Sequence, residues 1–257
     1  MQTARTHLES LLKARKLDVT LTSASPLHAP ALRHDAARAD DLAVTGVPAL
    51  DAALGGGLPR GHLSEIVGGR SSGRTSVVCR ALGAAASRDE LVAFVDSCDR
   101  FDPASAAAVG LDLSRLLWIR ETGDATRALK AMNLVLQAGG FGVVAIDLAD
   151  VPLMALKRIP FTTWLRVQRT IEGSDTACVL VAPEPLARSA GGVTLSLAAA
   201  AQWAGHSDRS RRLGGLDLTA RIVSPRRRVQ GDVRFIATAT HTNHRGTETQ
   251  RAEYLGA

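Results

Sequence analysis

The sequence predicts an α/β fold in which a mostly parallel central sheet is flanked by helices and extended by a C-terminal antiparallel hairpin. Three observations carry that reading. Between residues 63 and 182, short apolar runs alternate with segments of helical period, the rhythm of βαβ units covered on both faces. One apolar run opens into a Gly/Ser loop and then a helix, a junction suited to gripping phosphate. Beyond residue 215 the pattern changes to alternating apolar and polar residues on either side of a Pro- and Arg-rich turn.

The elements follow in order. Residues 5–17 carry Leu8, Leu11 and Leu12 at i, i+3, i+4 spacing and read as an amphipathic helix. Residues 18–43 form a linker rich in Pro, Ala, His and Asp. Together these make a first segment, 1–43; the core runs from Val44 to residue 240, and a polar tail covers 241–257. In the core, Leu63–Val67 is a strand and Thr75–Ala86 a helix. Leu91–Asp96 is a strand, Pro103–Val109 a short helix and Leu116–Ile119 a strand. Asp124 caps a helix reaching about Gln137, with Leu129, Met132 and Leu136 on one face. Val143–Asp147 is an apolar strand ending in a carboxylate. A helix over about 162–171 leads to the strand Ala177–Ala182. Leu216–Val223 and Val233–Thr240 form the hairpin, turning through Pro225–Gly231.

Composition narrows the function classes. Hydrophobic residues make up 46% of the 257 and aromatics only 4%, so the core is aliphatic. No apolar run reaches the ~20 residues that span a bilayer. The N-terminus lacks the apolar stretch of a signal peptide, so the expected location is cytoplasmic. Cys79, Cys98 and Cys178 are too dispersed for a disulfide framework or a zinc site, and Cys79 and Cys178 are expected as small core residues. Only Lys13, Lys16, Lys130 and Lys157 are lysines among 31 basic residues, and the net charge is +6. That balance permits nucleic acid or an acidic partner and specifies neither.

The phosphate-loop candidate is Gly68-Gly69-Arg70-Ser71-Ser72-Gly73-Arg74-Thr75. Its spacing is G-x-x-x-x-G-R-T, whereas the common form has lysine before the hydroxyl residue. Glycines let backbone N–H groups turn inward, and the helix N-terminus adds its dipole. The candidate nucleotide-binding residues are Gly68, Gly69, Ser71, Ser72, Gly73, Arg74, Thr75 and Ser76, with Asp147 from the later strand. Thr75 and Asp147 are the candidate Mg²⁺ ligands. Arg74 is the departure. A planar guanidinium either grips phosphate as a fork or fills the pocket. The bland alternative is a Gly-rich turn with no ligand.

The segment Thr45-Gly46-Val47-Pro48-Ala49-Leu50-Asp51-Ala52-Ala53-Leu54-Gly55-Gly56-Gly57-Leu58-Pro59-Arg60-Gly61 resembles the T-G-x-x-x-L-D-x-x-L-G-G-G-[LI]-P-x-G entry to the RecA-family core. Glu65 stands where that family has "EI". Phe94–Pro103 resembles the stretch bearing the family's catalytic carboxylate, Ala108–Leu117 the segment that follows it, and Val143–Asp147 its Walker B strand. The resemblance covers about residues 44–182 and implies a RecA-like core that takes ATP with Mg²⁺. It also marks departures. Cys98 stands at the catalytic glutamate, with Asp99 adjacent. Ser105 stands where a ring stacks on adenine, and Ala182-Pro183 where Asn-Gln senses the γ-phosphate. These losses, with Arg74, disfavour hydrolysis.

The segment from Gly57 to Ser76 is similar to the ImuA family, RecA-like proteins of bacterial mutagenesis cassettes. That resemblance implies an accessory or adaptor role in DNA-damage-induced translesion synthesis, with degenerate ATPase chemistry. The partners it implies are an ImuB-like Y-family polymerase relative, an error-prone replicative-type polymerase and RecA itself. The alternative is an active ATP-dependent recombination or repair ATPase of the RecA family.

Other features are weaker. Arg226, Arg227 and Arg228 at the hairpin turn, and Arg209, Arg211 and Arg212 before it, are candidate contacts to DNA phosphates or an acidic partner. No aromatic interleaves with them, so base stacking is not suggested. By resemblance the DNA-facing loops are Val151–Phe161 and Pro183–Leu195. Their Lys157, Arg158 and Arg188 are few, so weak or indirect DNA binding is expected. Asp96, Asp99 and Asp102 border the nucleotide pocket or cap the next helix. His241 and His244 lack the partners of a metal site. The leucine stripe of residues 5–17 covers the chain's own core or docks on a neighbouring RecA-like subunit.

Overall fold

Apolar runs without alternation need cover on both faces, and this dictates the architecture. The computed structural model describes residues 41–187, 191–207, 209–223 and 230–238. The helix read over 5–17, Arg188, the Arg226–Arg228 cluster, His241 and His244 lie outside the described residues. Strand β1 (Leu42–Ala43) pairs antiparallel with β2 (Leu58–Pro59), and helix α1 (Pro48–Leu54) lies between them in sequence. Then β3 (Leu63–Gly68), α2 (Arg74–Ala86), β4 (Leu91–Asp96), α3 (Pro103–Ala108), β5 (Leu116–Arg120), α4 (Ala125–Ala138) and β6 (Phe141–Asp147) follow. Next come α5 (Leu153–Lys157), α6 (Phe161–Ile171), β7 (Ala177–Ala182), β8 (Thr194–Ala204), β9 (Arg212–Val223) and β10 (Gln230–Thr238).

The main sheet has eight strands in the order β10-β9-β8-β3-β7-β6-β4-β5. Neighbours run parallel from β8 to β5, and β9 and β10 add antiparallel. This is the fold class that the sequence predicts. Alternate residues of the central strands divide the core. Val143, Ala145, Val179 and Val181 join Val78 and Leu82 of α2, while Val144, Ile146, Cys178 and Leu180 join Met132 of α4 and Trp164 and Val167 of α6. All three cysteines are free, and burial pushes the Cys79 and Cys178 thiols up to about 12. Asp124 caps α4 by accepting from Thr126 N and Arg127 N at 2.9 and 3.1 Å, and Leu129, Met132 and Leu136 are buried on its inner face. No described helix is long and apolar enough to cross a membrane.

Two elements depart from the sequence reading. Helix α5 occupies part of the stretch read as the open loop 151–161. Strand β8 begins inside the stretch read as the loop 183–195. Its Ala198–Ala201 run has little intrinsic strand preference. Pairing holds it instead: β3 flanks it from Thr194 to Leu197, and β9 flanks it throughout. Because β3 ends at Gly68, opposite Leu197, strands β8 and β9 continue past it as a ribbon beside the Gly/Ser loop.

Two buried polar residues fix the loops around this frame. Thr45 donates from N and Oγ1 to Asp51 Oδ1 at 2.6 and 2.7 Å, clamping the entry segment onto α1. Glu65 on β3 is only 1% exposed, and its Oε1 accepts from Leu186 N and Ala187 N at 2.7 and 2.8 Å. Its Oε2 accepts from Thr194 Oγ1 at 3.3 Å. One buried carboxylate thus ties down the segment after β7 and the start of β8. Losing it strands the buried Ala187 N–H and the half-buried Leu186 N–H. Glu65→Ala is therefore expected to lower the unfolding free energy by about 3 kcal/mol in urea titration. It should also speed amide exchange at Leu186 and Ala187. A loss below about 0.5 kcal/mol would show that the loop holds without the carboxylate.

Candidate nucleotide site

The carboxyl ends of β3, β7, β6 and β4 meet on one edge of the sheet, where α/β folds place their ligands. The β3–α2 loop turns there on glycines. Gly68 has φ +157°, and a Cβ on it would lie 2.4 Å from the Leu197 carbonyl oxygen of β8. Gly73 has φ +85°, and a Cβ there would lie 2.1 Å from Leu218 Cδ2 of β9. Ser71 at φ +58° adopts the left-handed region without being glycine. Gly73 is the N-cap of α2 and gives it no side-chain cap, which leaves the first-turn N–H groups available to an anion. Ser72 is buried, and among the described residues its Oγ has no hydrogen-bond partner. Gly69 and Thr75 are exposed, and Ser76 is half-buried.

Arg74 turns away from the mouth of the loop. The side chain is buried, 9% exposed, and Nη1 donates to the Ala182 carbonyl at 3.1 Å. Its guanidinium therefore turns inward across the end of β7 and carries its charge toward Asp147 on β6. The backbone cradle and Ser72 fit a phosphate group; the arginine, in this conformation, fills space beside it. At the mouth, Asp150 pairs with Arg70 at 3.6 Å and with Arg100 at 3.7 Å. These exposed pairs contribute little stability.

Asp147 Oδ1 accepts from Ala149 N at 2.8 Å, and its backbone carbonyl accepts from Ser97 N at 3.3 Å and from Ser97 Oγ. Burial, above all, pushes its carboxyl up to about 6; the Ala149 N–H and Arg74 oppose this, while Asp96 and Asp150 add to it. The remaining acids are occupied. Asp96 accepts from Arg100 N at 3.0 Å and Phe101 N at 2.8 Å, holding the turn after β4. Asp102 caps α3, accepting from Ala104 N and Ser105 N, each at 3.2 Å. Asp99 receives a two-pronged grip from Arg120, with both contacts at 2.7 Å, and this holds its carboxyl below the usual range. Asp99 is thus a weak base committed elsewhere. Cys98 is half-buried and accepts a 3.6 Å contact from Ser97 Oγ. Ser105 turns its hydroxyl onto Asp102.

Beyond the loop, Lys157 pairs with Glu184 at 3.1 Å. No aromatic interleaves in sequence with the arginines at 209–212, but the fold brings one beside them. Arg211 lies over the Trp203 ring, 5.2 Å from its centroid, and Trp203 is 56% exposed on the projecting ribbon. The two residues are eight apart in sequence but come together across the β8–β9 hairpin, so no local motif announces them.

A model of the RecA N-terminal domain matches residues 31–156, a stretch that holds the Gly/Ser loop, Cys98 and Asp147. The chain is RecA-like. RecA of an Arthrobacter species is 40% identical over 104 residues, 40% of this chain and 29% of that protein. RecA of Nostoc punctiforme is 39% identical over 103 residues, 40% of this chain and 28% of that protein. RecA of Methylococcus capsulatus is 39% identical over 113 residues, covering 44% and 32%. The RecA-like chain thus aligns with less than a third of these relatives' length. A crystal structure of the RadB recombinase superposes with TM-score 0.53 at 16% identity, covering 77% of this chain and 100% of that one. It shares the fold.

Two outcomes test this geometry. Gly73→Ala places a methyl group against Leu218 at a left-handed φ, and is expected to cost at least about 2 kcal/mol in chemical denaturation. The fold disfavours the charged form of Asp147. The stability linked to its carboxyl is therefore present at acid pH and falls as pH rises from about 4 through 6. Asp147→Asn should accordingly match the wild type near pH 4 and exceed it by about 2 kcal/mol at pH 7. A pH-independent difference would show that the carboxyl titrates normally.

Proposed function

We propose that this RecA-like chain is an accessory protein of the ImuA type, acting in DNA-damage-induced translesion synthesis and mutagenesis through protein contacts. The observation that carries this reading is the buried Arg74 guanidinium bonded to the end of β7. A compact lysine could point along the loop toward bound phosphates; this fork is already committed to backbone. The side chains around it support the same conclusion. Cys98 is a thiol in place of a carboxylate base, and Asp99 is spent on Arg120. Ser105 offers no ring to adenine. Ala182 supplies only its carbonyl, and Pro183 lacks an N–H.

ATP with Mg²⁺ is accommodated in this proposal as a passive ligand. The Gly68–Gly73 N–H groups and Ser72 would hold phosphate, and Thr75 and Asp147 would hold the metal. Bound Mg²⁺ would neutralise phosphate charge; among the described residues Cys98 and Asp99 offer no free carboxylate base to activate water. The partners proposed are an ImuB-like polymerase relative, an error-prone replicative-type polymerase and RecA, with DNA contacted weakly or through them.

Nucleotide titration with single-turnover hydrolysis tests the chemistry. The expected result is weak Mg–ATP binding and no measurable turnover. Arg74→Lys is expected to tighten binding by about tenfold, since it frees the cradle. RecA-like hydrolysis that disappears in Asp147→Ala would instead establish an active ATPase. Co-purification with the ImuB-like protein, and its absence with an unrelated Y-family polymerase, tests the adaptor role.

A further inference from the structure

A groove of about 740 Å³ runs between α4 and the α5–α6 pair, on the opposite side of the sheet from α2. Leu129, Ile159 and Val167 give it an apolar lining, and Leu134 stands 66% exposed at its edge. Lys130, Arg158 and Arg166 also line it, and no carboxylate does. Among the described residues none of these three cations has an ion-pair partner. Their neighbours differ: Arg127 pairs with Glu121 at 3.5 Å and Lys157 with Glu184 at 3.1 Å. An open apolar lining ringed by unpaired charge of one sign marks a contact surface.

We infer that this groove receives an acidic amphipathic helix of a partner protein. Apolar side chains at i, i+3 or i+4 and i+7 would fill the floor, and carboxylates would meet Lys130, Arg158 and Arg166. Charge selects this occupant over two others. The chain's own segment 5–17 carries Arg5, Lys13, Arg15 and Lys16 against Glu9 alone. A second copy brings a net charge of +6. Both would be repelled at a basic rim. The inference rests on the accessory reading, which makes protein contact the activity, and it names the chemistry of one contact.

The test uses the full chain and two synthetic helical peptides with the same leucine stripe. One carries glutamate on its flanks and the other lysine. Fluorescence anisotropy is expected to show the glutamate peptide binding at least about tenfold more tightly, and weakening as salt is raised. Leu134→Asp, and separately the double variant Lys130→Glu/Arg166→Glu, should each weaken it about tenfold or more. Leu117→Asp, on the edge strand β5 and outside the groove lining, should leave it unchanged. Both groove changes are at exposed positions, so melting temperatures report whether folding survives. Equal binding of the two peptides, or groove variants that bind like the parent, overturns the inference. So does a dimer in sedimentation that Leu134→Asp dissolves, or tighter peptide binding after removal of residues 1–20. Neither groove variant touches the Gly/Ser loop, so failure here leaves the nucleotide result standing.

Discussion

A buried cation must find an acceptor, and the contact between Arg74 and the Ala182 carbonyl is where this molecule meets that demand. Arg74 is the first residue of α2, the end of a helix where positive charge is least welcome. Its side chain leaves that end and reaches the carbonyl edge of the sheet. There it finds a lone-pair acceptor on β7 and a partly desolvated carboxyl on β6. The contact joins residues 108 apart in sequence and pins the start of α2 across the strand that separates β3 from β6. The site's character follows from it, because the same volume cannot hold this guanidinium and a freely moving point charge.

The departures from the RecA pattern are then coupled rather than independent. With Ala182-Pro183 ending β7, no side chain there reaches toward the loop, and the Ala182 carbonyl is left as an acceptor that Arg74 takes. With Cys98 after β4, no carboxylate projects from that position, and Asp99 swings to Arg120, which also lies over Trp118 at 4.8 Å. Asp96 and Asp102 spend their oxygens on backbone N–H groups. Each acid near the sheet edge except Asp147 is satisfied by the protein itself. Asp147 keeps an elevated affinity for its proton because burial outweighs the help it receives.

Much of this fold was legible in advance, for identifiable reasons. Fully apolar runs bounded by polar turns marked β4, β6 and β7 closely, since a strand buried on both faces has no alternation to misread. Asp124 announced α4 because an N-cap acts locally. Strand β8 was not legible: four consecutive alanines carry no strand preference, and only pairing with β3 and β9 makes them extended. The same limit applies to the site. The loop's glycines could be read, but whether Arg74 gripped phosphate or filled the pocket depended on the position of Ala182, which no local pattern encodes. Trp203 and Arg211 meet because β8 and β9 form a hairpin, and β8 was itself not legible.

The glycines themselves carry less functional information than their spacing suggests. Gly68 is excluded from bearing a side chain by the Leu197 carbonyl, and at Gly73 a side chain would be strained at φ +85° and would have to displace the Leu218 side chain; Leu197 and Leu218 are both on strands of the C-terminal ribbon. Gly46 is similarly confined, with a Cβ there falling 3.0 Å from the Arg80 carbonyl. Thr45 and Asp51, which give the entry motif its recognisable form, spend themselves on each other. These residues are required by the packing of a RecA-like core whether or not a nucleotide ever enters it. The chemistry depends instead on the side chains that the packing leaves free to vary: Arg74 bonds to the Ala182 carbonyl, Ser105 to Asp102, and Cys98 takes a contact from Ser97.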